Sequence, residues 1–216
     1  MFPPLMTALR FFNSYEAIRF TENALPHWQQ AGALYFITFR LADSIPASLR
    51  AEWNAERELW LRLHPEPWSA ETELEYHKRF SAAIEHWLDA GHGACVLRQR
   101  DCASIVDETL RYFDGERLSL ISSVVMPNHV HALFVQNSEY PLEKIIVSWK
   151  TFTARNINKL LGRSGNLWQR SYFDRLVRDE EHFQNCVRYI RNNPLKARLN
   201  VNEYILYESE LAKQVD

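Results

Sequence analysis

The chain has little of what marks secreted, zinc-clamped or membrane-spanning proteins. It has three cysteines in 216 residues, Cys95, Cys102 and Cys186, and no CxxC pair. A disulfide framework or zinc ribbon is therefore not expected, and a reducing, cytoplasmic compartment is the simpler expectation. There is no run of 18 apolar residues, and the N-terminus lacks a basic segment followed by an apolar one. The sequence thus predicts no membrane association and no signal peptide.

An overall positive charge is also missing, since the formal net charge is −2. The charge is nevertheless uneven. Residues 141–199 hold 12 Lys/Arg against 5 Asp/Glu, and the rest of the chain holds 13 against 22. Local charge, not total charge, attracts a polyanion, so a nucleic-acid partner remains open. The alternative explanation of this region is a solvated helical face.

Three segments have the composition of β-strands. Residues 33–43, ALYFITFRLAD, alternate apolar side chains rich in aromatic and β-branched types. RLSLISSVVM and HVHALFVQ follow later and are joined at Pro127-Asn128, a turn-forming pair. These segments predict an antiparallel sheet.

The remaining long segments have helical spacing of apolar residues. Residues at about 46–93 form an acidic helical excursion, and further helices are predicted before Gly115, after Pro141 and after Asp179. Pro194 is expected to end the last helix. The order of elements predicts an α+β fold with an antiparallel sheet, helices packed on it and a helical insertion.

Two histidines stand one residue apart in the apolar run after Pro127-Asn128. In a strand, His129 and His131 would point to the same face. Two neutral imidazoles there can bind a divalent metal and leave positions open for oxygen ligands, which is typical of a catalytic site. The alternative is a pair of polar or stacking histidines.

Two tyrosines of the basic region are candidate nucleophiles for a phosphate, because neighbouring cations favour the phenolate. Tyr172 lies between Arg170 and Arg175, and its alternative role is packing in an aromatic patch. Tyr189 lies on the flank of the last helix, with His182 and, one turn further, Asn193 on the same flank. Its alternative role is a border tyrosine packed against the sheet.

The motifs PNHVH, LWQRSYFDR and YIRNNP together resemble the REP-associated tyrosine transposases, a branch of the single-tyrosine HUH transposases of bacteria. The resemblance covers about residues 25–46 and 94–199. It implies a ferredoxin-like (RRM-like) sheet with the histidine pair on a central strand. It also implies residues 1–24 as an N-terminal extension, 25–199 as a single domain with the insertion at about 46–93, and 200–216 as a C-terminal tail.

The resemblance further implies cleavage and rejoining of single-stranded DNA near hairpins through a 5′-phosphotyrosine, assisted by Mg²⁺ or Mn²⁺. His129 and His131 match the family's metal pair. Tyr189 matches the nucleophile, with Asn193 one turn later as third ligand and His182 or water as the alternative. Tyr172 is the alternative nucleophile, although Leu176 stands where a ligand is required.

DNA binding is predicted for the cations of the basic region, with Trp168 nearby as a stacking platform for unpaired bases. These cations are Lys144, Lys150, Arg155, Lys159, Arg163, Arg170 and Arg175. Two other functions remain open on sequence: a hairpin-DNA-binding protein without catalysis, and a metal hydrolase that uses water. A monomer and a homodimer are both compatible with the resemblance.

Overall fold

The structure is a computed structural model that describes residues 9–17, 19–22, 26–65 and 68–216. Two short strands, β1 (Arg19–Glu22) and β2 (Pro26–Gln29), pair with each other. The main sheet is antiparallel and has five strands, in the order β6-β3-β5-β4-β7. They are β3 (Leu34–Arg40), β4 (Leu118–Val125), β5 (His129–Gln136), β6 (Phe173–Leu176) and β7 (Ile205–Glu208).

Six α-helices accompany the strands in the described part of the chain: α1 (Ala47–Leu63), α2 (Ala70–Tyr76), α3 (Ala82–Asp89), α4 (Arg100–Arg111), α5 (Leu142–Leu160) and α6 (Glu180–Lys196). The element order β3-α4-β4-β5-α5-β6, with the strand order β6-β3-β5-β4, is the ferredoxin-like arrangement. The predicted fold class is therefore confirmed. The strand β7 extends this sheet beyond β4.

Alternation along β5 divides the protein into two layers on either side of the sheet. Val130, Ala132 and Phe134 pack with the buried faces of α4 and α5. Leu133 faces the other way and packs with α6, whose buried residues Phe183, Val187 and Ile190 follow the helical repeat. The histidines of β5 have the same parity as Leu133, so both lie beneath α6.

The helical insertion between β3 and α4 has a small aromatic core of its own. Trp60 and Phe80 are both buried and meet edge to face, with ring centroids 5.8 Å apart. Trp53 donates from Nε1 to the carbonyl oxygen of Phe80 at 3.2 Å. Phe80 belongs to a π-helical turn, His77–Ser81, that joins α2 to α3. The insertion then ends in α3, which returns to the sheet.

Helix α6 continues past Pro194 to Lys196, so the prediction that this proline ends the helix is wrong. Proline deprives the carbonyl of Ile190 of its usual donor, but its fixed φ is itself helical. The N–H of Ala197 still donates to the carbonyl of Asn193 at 3.0 Å. Asn193 therefore lies within regular helix, one turn after Tyr189.

The C-terminal residues are part of the core and not an appended tail. The strand β7 pairs with β4, and Leu211, Ala212 and Val215 are buried in the layer beneath α6. The boundary at 199 was predicted from the family resemblance, which ends there. At the other end, β1 and β2 pair with each other from either side of the predicted boundary at 24, and residues 1–8, 18, 23 and 24 of the predicted extension lie outside the described residues.

Candidate active site

The histidine pair is buried in the middle of the sheet. His129 and His131 are 1% and 2% exposed, and their ring centroids are 4.7 Å apart. The adjacent strand β3 provides their cross-strand neighbours, Arg40 opposite His129 and Thr38 opposite His131. The predicted side-by-side placement of the two imidazoles is what the strand produces.

Each imidazole has its Nδ1 atom engaged by a neighbouring side chain. The Oδ1 atom of Asn128 lies 2.7 Å from Nδ1 of His129, and Oγ1 of Thr38 lies 2.7 Å from Nδ1 of His131. Such partners fix the orientation of an imidazole ring and leave the other nitrogen for a ligand. The Nε2 atoms are therefore the ones available for a metal.

Helix α6 places Tyr189 and Asn193 over this pair. The Tyr189 ring meets His131 edge to face, with centroids 5.1 Å apart, and meets Phe36 at 5.7 Å. The Nδ2 atom of Asn193 is 3.4 Å from Nε2 of His131. Asn193 is completely buried, and its Oδ1 atom has no hydrogen-bond partner. Residues far apart in sequence thus converge on one face of the sheet.

Burial keeps both histidines neutral at pH 7. Burial lowers the pKa of His129 to about 3, and the nearby Asn193 side chain offsets only part of this effect. The pKa of His131 also lies well below its ordinary value, because of burial and then of the charges of His129 and Lys196. Neutral imidazole is the form that binds metals.

Tyr189 is held in its protonated form. Burial raises the pKa of Tyr189 above its ordinary value, and the carboxylates of Glu85 and Asp89 in α3 raise it further. The carboxyl group of Glu85 also hydrogen bonds with Tyr189, while burial raises its own pKa. Lys196 lies over the Tyr189 ring, with Nζ 5.5 Å from the centroid, and forms an ion pair with Asp89 at 4.0 Å. The phenol therefore needs a proton acceptor before it can attack.

A two-histidine set with an amide oxygen fits a divalent cation. Among residues 9–17, 19–22, 26–65 and 68–216, no three His, Cys, Asp or Glu side chains form a metal-binding cluster. The set therefore depends on Asn193, whose unpartnered buried oxygen is the donor that a hard cation prefers. Two Nε2 atoms and one carboxamide oxygen would leave positions open for phosphate oxygens.

The alternative site residues lie elsewhere. His182 is in the first turn of α6, 11 residues before Asn193, which is about 16 Å along a helix. Its Nδ1 accepts a hydrogen bond from the backbone N–H of Arg178 at 3.3 Å. Tyr172 is buried in the layer beneath α4 and α5, so the sheet separates it from the histidine pair.

The predicted DNA-binding cations are divided between the two faces. Arg175 is the cross-strand partner of Phe36 and lies on the histidine face. Five of the others are exposed on α5 or in the segment that follows it: Lys144, Arg155, Lys159, Arg163 and Arg170. The Nζ atom of Lys150 donates to the carbonyls of Gln169 and Arg170 at 2.7 and 2.8 Å, which joins α5 to the segment before β6.

Trp168 cannot serve as the predicted stacking platform in this conformation. It is only 6% exposed, packs edge to face on Phe39 at 4.8 Å and donates from Nε1 to Thr153 Oγ1 at 2.8 Å. Its flanking apolar residue, Leu167, is buried in the same layer. The ring therefore belongs to the core beneath α5.

Several residues of the site were missed by sequence reasoning. Glu85 and Asp89 belong to the insertion, in which the sequence shows no functional motif. Thr38 and Arg40 lie in β3. Arg40 shares the face of His129 and donates to Ser44 Oγ at 3.1 Å. Burial, with a smaller contribution from Arg50, lowers the pKa of Arg40 to about 10, so it remains a cation suited to phosphate at pH 7. The signal that could have found Thr38 and Arg40 is the alternation of side chains along β3, which places both residues on one face of that strand.

One protein-family model matches part of this chain. Residues 97–193 match the family model described as "Transposase IS200 like". This segment runs from just before α4 to Asn193 and contains His129, His131 and Tyr189. This segment, a little under half of the chain, is similar to the IS200-like transposases. Members of this family are DNA-cleaving enzymes. Thr38, Arg40, Glu85 and Asp89, which lie near the histidine pair or Tyr189, are outside the matched segment.

Two solved structures are similar to this chain in parts of their fold. A REP-associated tyrosine transposase bound to a REP hairpin is 13% identical, with 81% of this chain and 74% of that chain covered and a TM-score of 0.46. A candidate transposase from Deinococcus radiodurans R1 is 16% identical, with 86% and 98% covered and a TM-score of 0.35. A comparison with curated protein sequences gave no match.

Proposed function

We propose that this chain is an IS200-like transposase that cleaves and rejoins single-stranded DNA beside a hairpin through a 5′-phosphotyrosine on Tyr189. The observation that carries the proposal is the convergence of Tyr189, Asn193 and the histidine pair on one face of the sheet. The resemblance of the motifs to the REP-associated branch supports a hairpin substrate. Mg²⁺ or Mn²⁺ is the proposed cofactor, held by His129, His131 and Asn193.

The chemistry follows from the groups around Tyr189. Its phenolic oxygen attacks the scissile phosphorus, the bond from phosphorus to the 3′ oxygen breaks, and the DNA 5′ end remains on the tyrosine as a phosphodiester. The phenolic proton passes to the Glu85 carboxylate, its hydrogen-bonding partner, and the departing 3′ oxygen takes a proton from solvent. Rejoining is the reverse attack by a 3′-OH.

The reaction also requires that the scissile phosphate be made more electrophilic. A bound divalent ion would polarise the scissile phosphate and offset its charge in the transition state. Arg40 and Arg175 lie on the same face and supply further cations for phosphate oxygens. A cavity of about 160 Å³ beside His129, lined also by Asp89, Arg98 and Met126, gives the DNA backbone room to approach.

The test is covalent capture of the DNA. The protein is incubated with Mn²⁺ and single-stranded oligonucleotides that carry hairpins with random single-stranded flanks and a fluorophore at the 3′ end. After denaturation, a fluorescent band at the position of the protein reports the adduct, because the fragment 3′ of the cut remains attached. Mass spectrometry of the nucleopeptide identifies the modified residue.

Tyr189→Phe should remove the adduct, because phenylalanine has no oxygen to attack phosphorus. Tyr172→Phe is the matched control, since it removes the same oxygen from a buried tyrosine on the opposite face of the sheet, and it should keep the adduct. An adduct on Tyr172, or one that persists in Tyr189→Phe, would overturn the assignment. Hairpin binding without any adduct would favour the non-catalytic binding protein, and cleavage without an adduct would favour a water nucleophile.

A further inference from the structure

Asn128, directly before His129 in the turn between β4 and β5, has every polar atom of its side chain engaged. It is 1% exposed. Its Nδ2 atom donates to the carbonyl oxygens of Leu88 and His92 at 3.2 and 3.3 Å. Its Oδ1 atom lies 2.7 Å from Nδ1 of His129. On sequence alone, this residue was only half of a turn-forming pair.

The two carbonyls decide which way the amide points. A carbonyl oxygen can only accept a hydrogen bond, so the nitrogen of the Asn128 amide must face Leu88 and His92. The oxygen must then face His129, and an amide oxygen can only accept. Nδ1 of His129 must therefore carry the proton, and Nε2 carries the lone pair.

The carbonyls come from the end of the helical insertion, where the backbone is tightly held. Gly93 has a φ of +87°, and a Cβ there would lie 2.5 Å from the carbonyl oxygen of Asp43. The N–H of Ala94 donates to Oδ2 of Asp43 at 2.9 Å, and the N–H of Leu97 donates to the carbonyl of Pro127 at 3.2 Å. The end of the insertion is thus fastened to the segment after β3 and to the turn that holds Asn128.

We infer that Asn128 is a positioning residue that sets the tautomer and ring orientation of His129, and that the end of the insertion positions Asn128. The chain of contacts runs from Leu88 and His92 through the amide to Nδ1, and its result is a lone pair on Nε2 facing α6. The insertion is therefore an outer part of the active site. The tautomer stands on the contacts alone; its consequence for metal binding rests on the proposed function.

That consequence is an effect on metal affinity. A histidine that carries its proton on Nε2 cannot ligate through that atom without first changing tautomer. Residues that fix a ligating histidine in this way typically change metal affinity 10- to 100-fold when they are removed. Asn128→Ala should therefore weaken Mn²⁺ binding by about that factor, even though Asn128 itself touches no metal.

The first measurement is the tautomer of His129 in metal-free, ¹⁵N-labelled protein at neutral pH with EDTA. A long-range ¹H–¹⁵N correlation spectrum distinguishes the protonated ring nitrogen from the bare one, and His129→Gln assigns the signals. Wild type should show a proton on Nδ1 of His129. A proton on Nε2 in wild type would overturn the inference without any variant.

Two variants test separately the contact of Asn128 with His129 and its contacts with the carbonyls of Leu88 and His92. Asn128→Asp keeps an acceptor for Nδ1 but cannot donate to the carbonyls. The tautomer should stay, while backbone amides of residues 90–97 exchange faster with deuterium. Asn128→Ala removes the contact with His129 and the contacts with both carbonyls, and should give a mixture of the two tautomers of His129. Unchanged exchange in Asn128→Asp would contradict the role of the insertion, and an unchanged tautomer in Asn128→Ala would contradict the role of Asn128.

The second measurement is Mn²⁺ affinity, followed by the electron paramagnetic resonance signal of the free ion. Asn137→Ala is the matched control, since Asn137 also donates to a backbone carbonyl, that of Glu116 at 2.8 Å, at the far end of the hairpin. It should leave tautomer and affinity unchanged. Equal affinity in wild type and Asn128→Ala would overturn the inference. A wild type that has the expected tautomer but binds no Mn²⁺ would uphold the positioning of His129 and contradict the proposed metal site instead.

Discussion

At the scale of single residues, the site depends on polar groups that are buried yet neutral. Two buried imidazoles are costly to protonate, and their Nδ1 atoms are occupied by Asn128 and Thr38. The Asn193 amide lies next to His131, with its Nδ2 atom 3.4 Å from Nε2, and its buried Oδ1 atom lacks a hydrogen-bond partner. Such an arrangement is unfavourable for stability and is understandable where a cation is to be bound.

Alanine at either histidine should abolish cleavage and leave hairpin binding largely intact. His129→Ala and His131→Ala each remove one proposed ligand but no exposed cation. EDTA should reproduce the effect in wild type, and added Mn²⁺ or Mg²⁺ should reverse it. The measurement is adduct formation alongside a binding titration on the same oligonucleotide. Wild-type cleavage by either variant would remove the basis for a metal site.

The buried histidines should also make the metal-free protein sensitive to acid. The unfolded chain takes up protons near pH 6.5, while the folded chain keeps His129 neutral down to about pH 3 and His131 neutral well below 6.5. The free energy of unfolding should therefore fall as the pH falls below 6.5. The limiting slope is about 1.4 kcal/mol per pH unit for each histidine.

This slope can be measured by urea unfolding between pH 7 and pH 5 in the presence of EDTA. The control is the double variant His129→Gln, His131→Gln, which keeps all the carboxyl groups but lacks the two imidazoles. Its unfolding free energy should depend less on pH in this window. Parallel pH profiles of wild type and double variant would show that the histidines are not held neutral.

At the scale of elements, two helices from different parts of the chain form the wall above the sheet. Helix α6 contributes Tyr189 and Asn193, which its period places one turn apart on the same side. Helix α3 contributes Glu85 and Asp89, which face Tyr189 from the insertion. The C-terminal segment supports α6, because Arg191 donates to the carbonyls of Ala212 and Val215 at 2.9 and 2.6 Å.

The segment after residue 199 should therefore contribute strongly to stability. Leu211 is 7% exposed and packs in the layer beneath α6, so Leu211→Ala should lower the free energy of unfolding by about 2–5 kcal/mol. Leu195→Ala is the matched control, because Leu195 is 69% exposed, and a change within about 0.5 kcal/mol is expected there. Urea unfolding measures both variants. If Leu211→Ala changed the free energy of unfolding as little as the control does, the segment after residue 199 would contribute little to stability, as expected of a tail.

At the scale of the whole molecule, a slightly acidic protein presents its cations unevenly. Lys144, Arg155 and Lys159 are exposed on α5, on the side of the sheet opposite the histidines, whereas Arg175 lies on the histidine face. DNA that touches both sets must extend around the edge of the sheet. A hairpin stem with a single-stranded flank has that reach and flexibility.

None of the helices in the described part of the chain is long and apolar enough to cross a membrane.

Binding should prefer a hairpin with a single-stranded flank over a blunt duplex, and should weaken steeply with salt. Replacing Lys144, Arg155 or Lys159 by alanine should lower affinity for all sequences and reduce the salt slope by about one for each phosphate that the variant no longer neutralises. Lys213→Ala is the control, because Lys213 pairs with Glu210 at 2.6 Å outside the basic region. Gel-shift titrations at several salt concentrations measure this. Equal affinity for blunt duplex and flanked hairpin would contradict the prediction.

The sequence by itself determined the histidine strand, the helix that carries Tyr189 and the α+β class, because periods of 2 and 3.6 are local properties of the chain. The ferredoxin-like strand order was implied only by the resemblance of the motifs to a known family. Only the tertiary structure decided that Tyr172 lies on the opposite side of the sheet from the histidines and that Trp168 is buried. It also brought Thr38, Arg40, Glu85 and Asn128 to the site and placed β7 in the sheet. The reason is that strand pairing and helix docking join residues tens of positions apart, and the order of strands in a sheet is set by packing of whole layers, which no local pattern encodes.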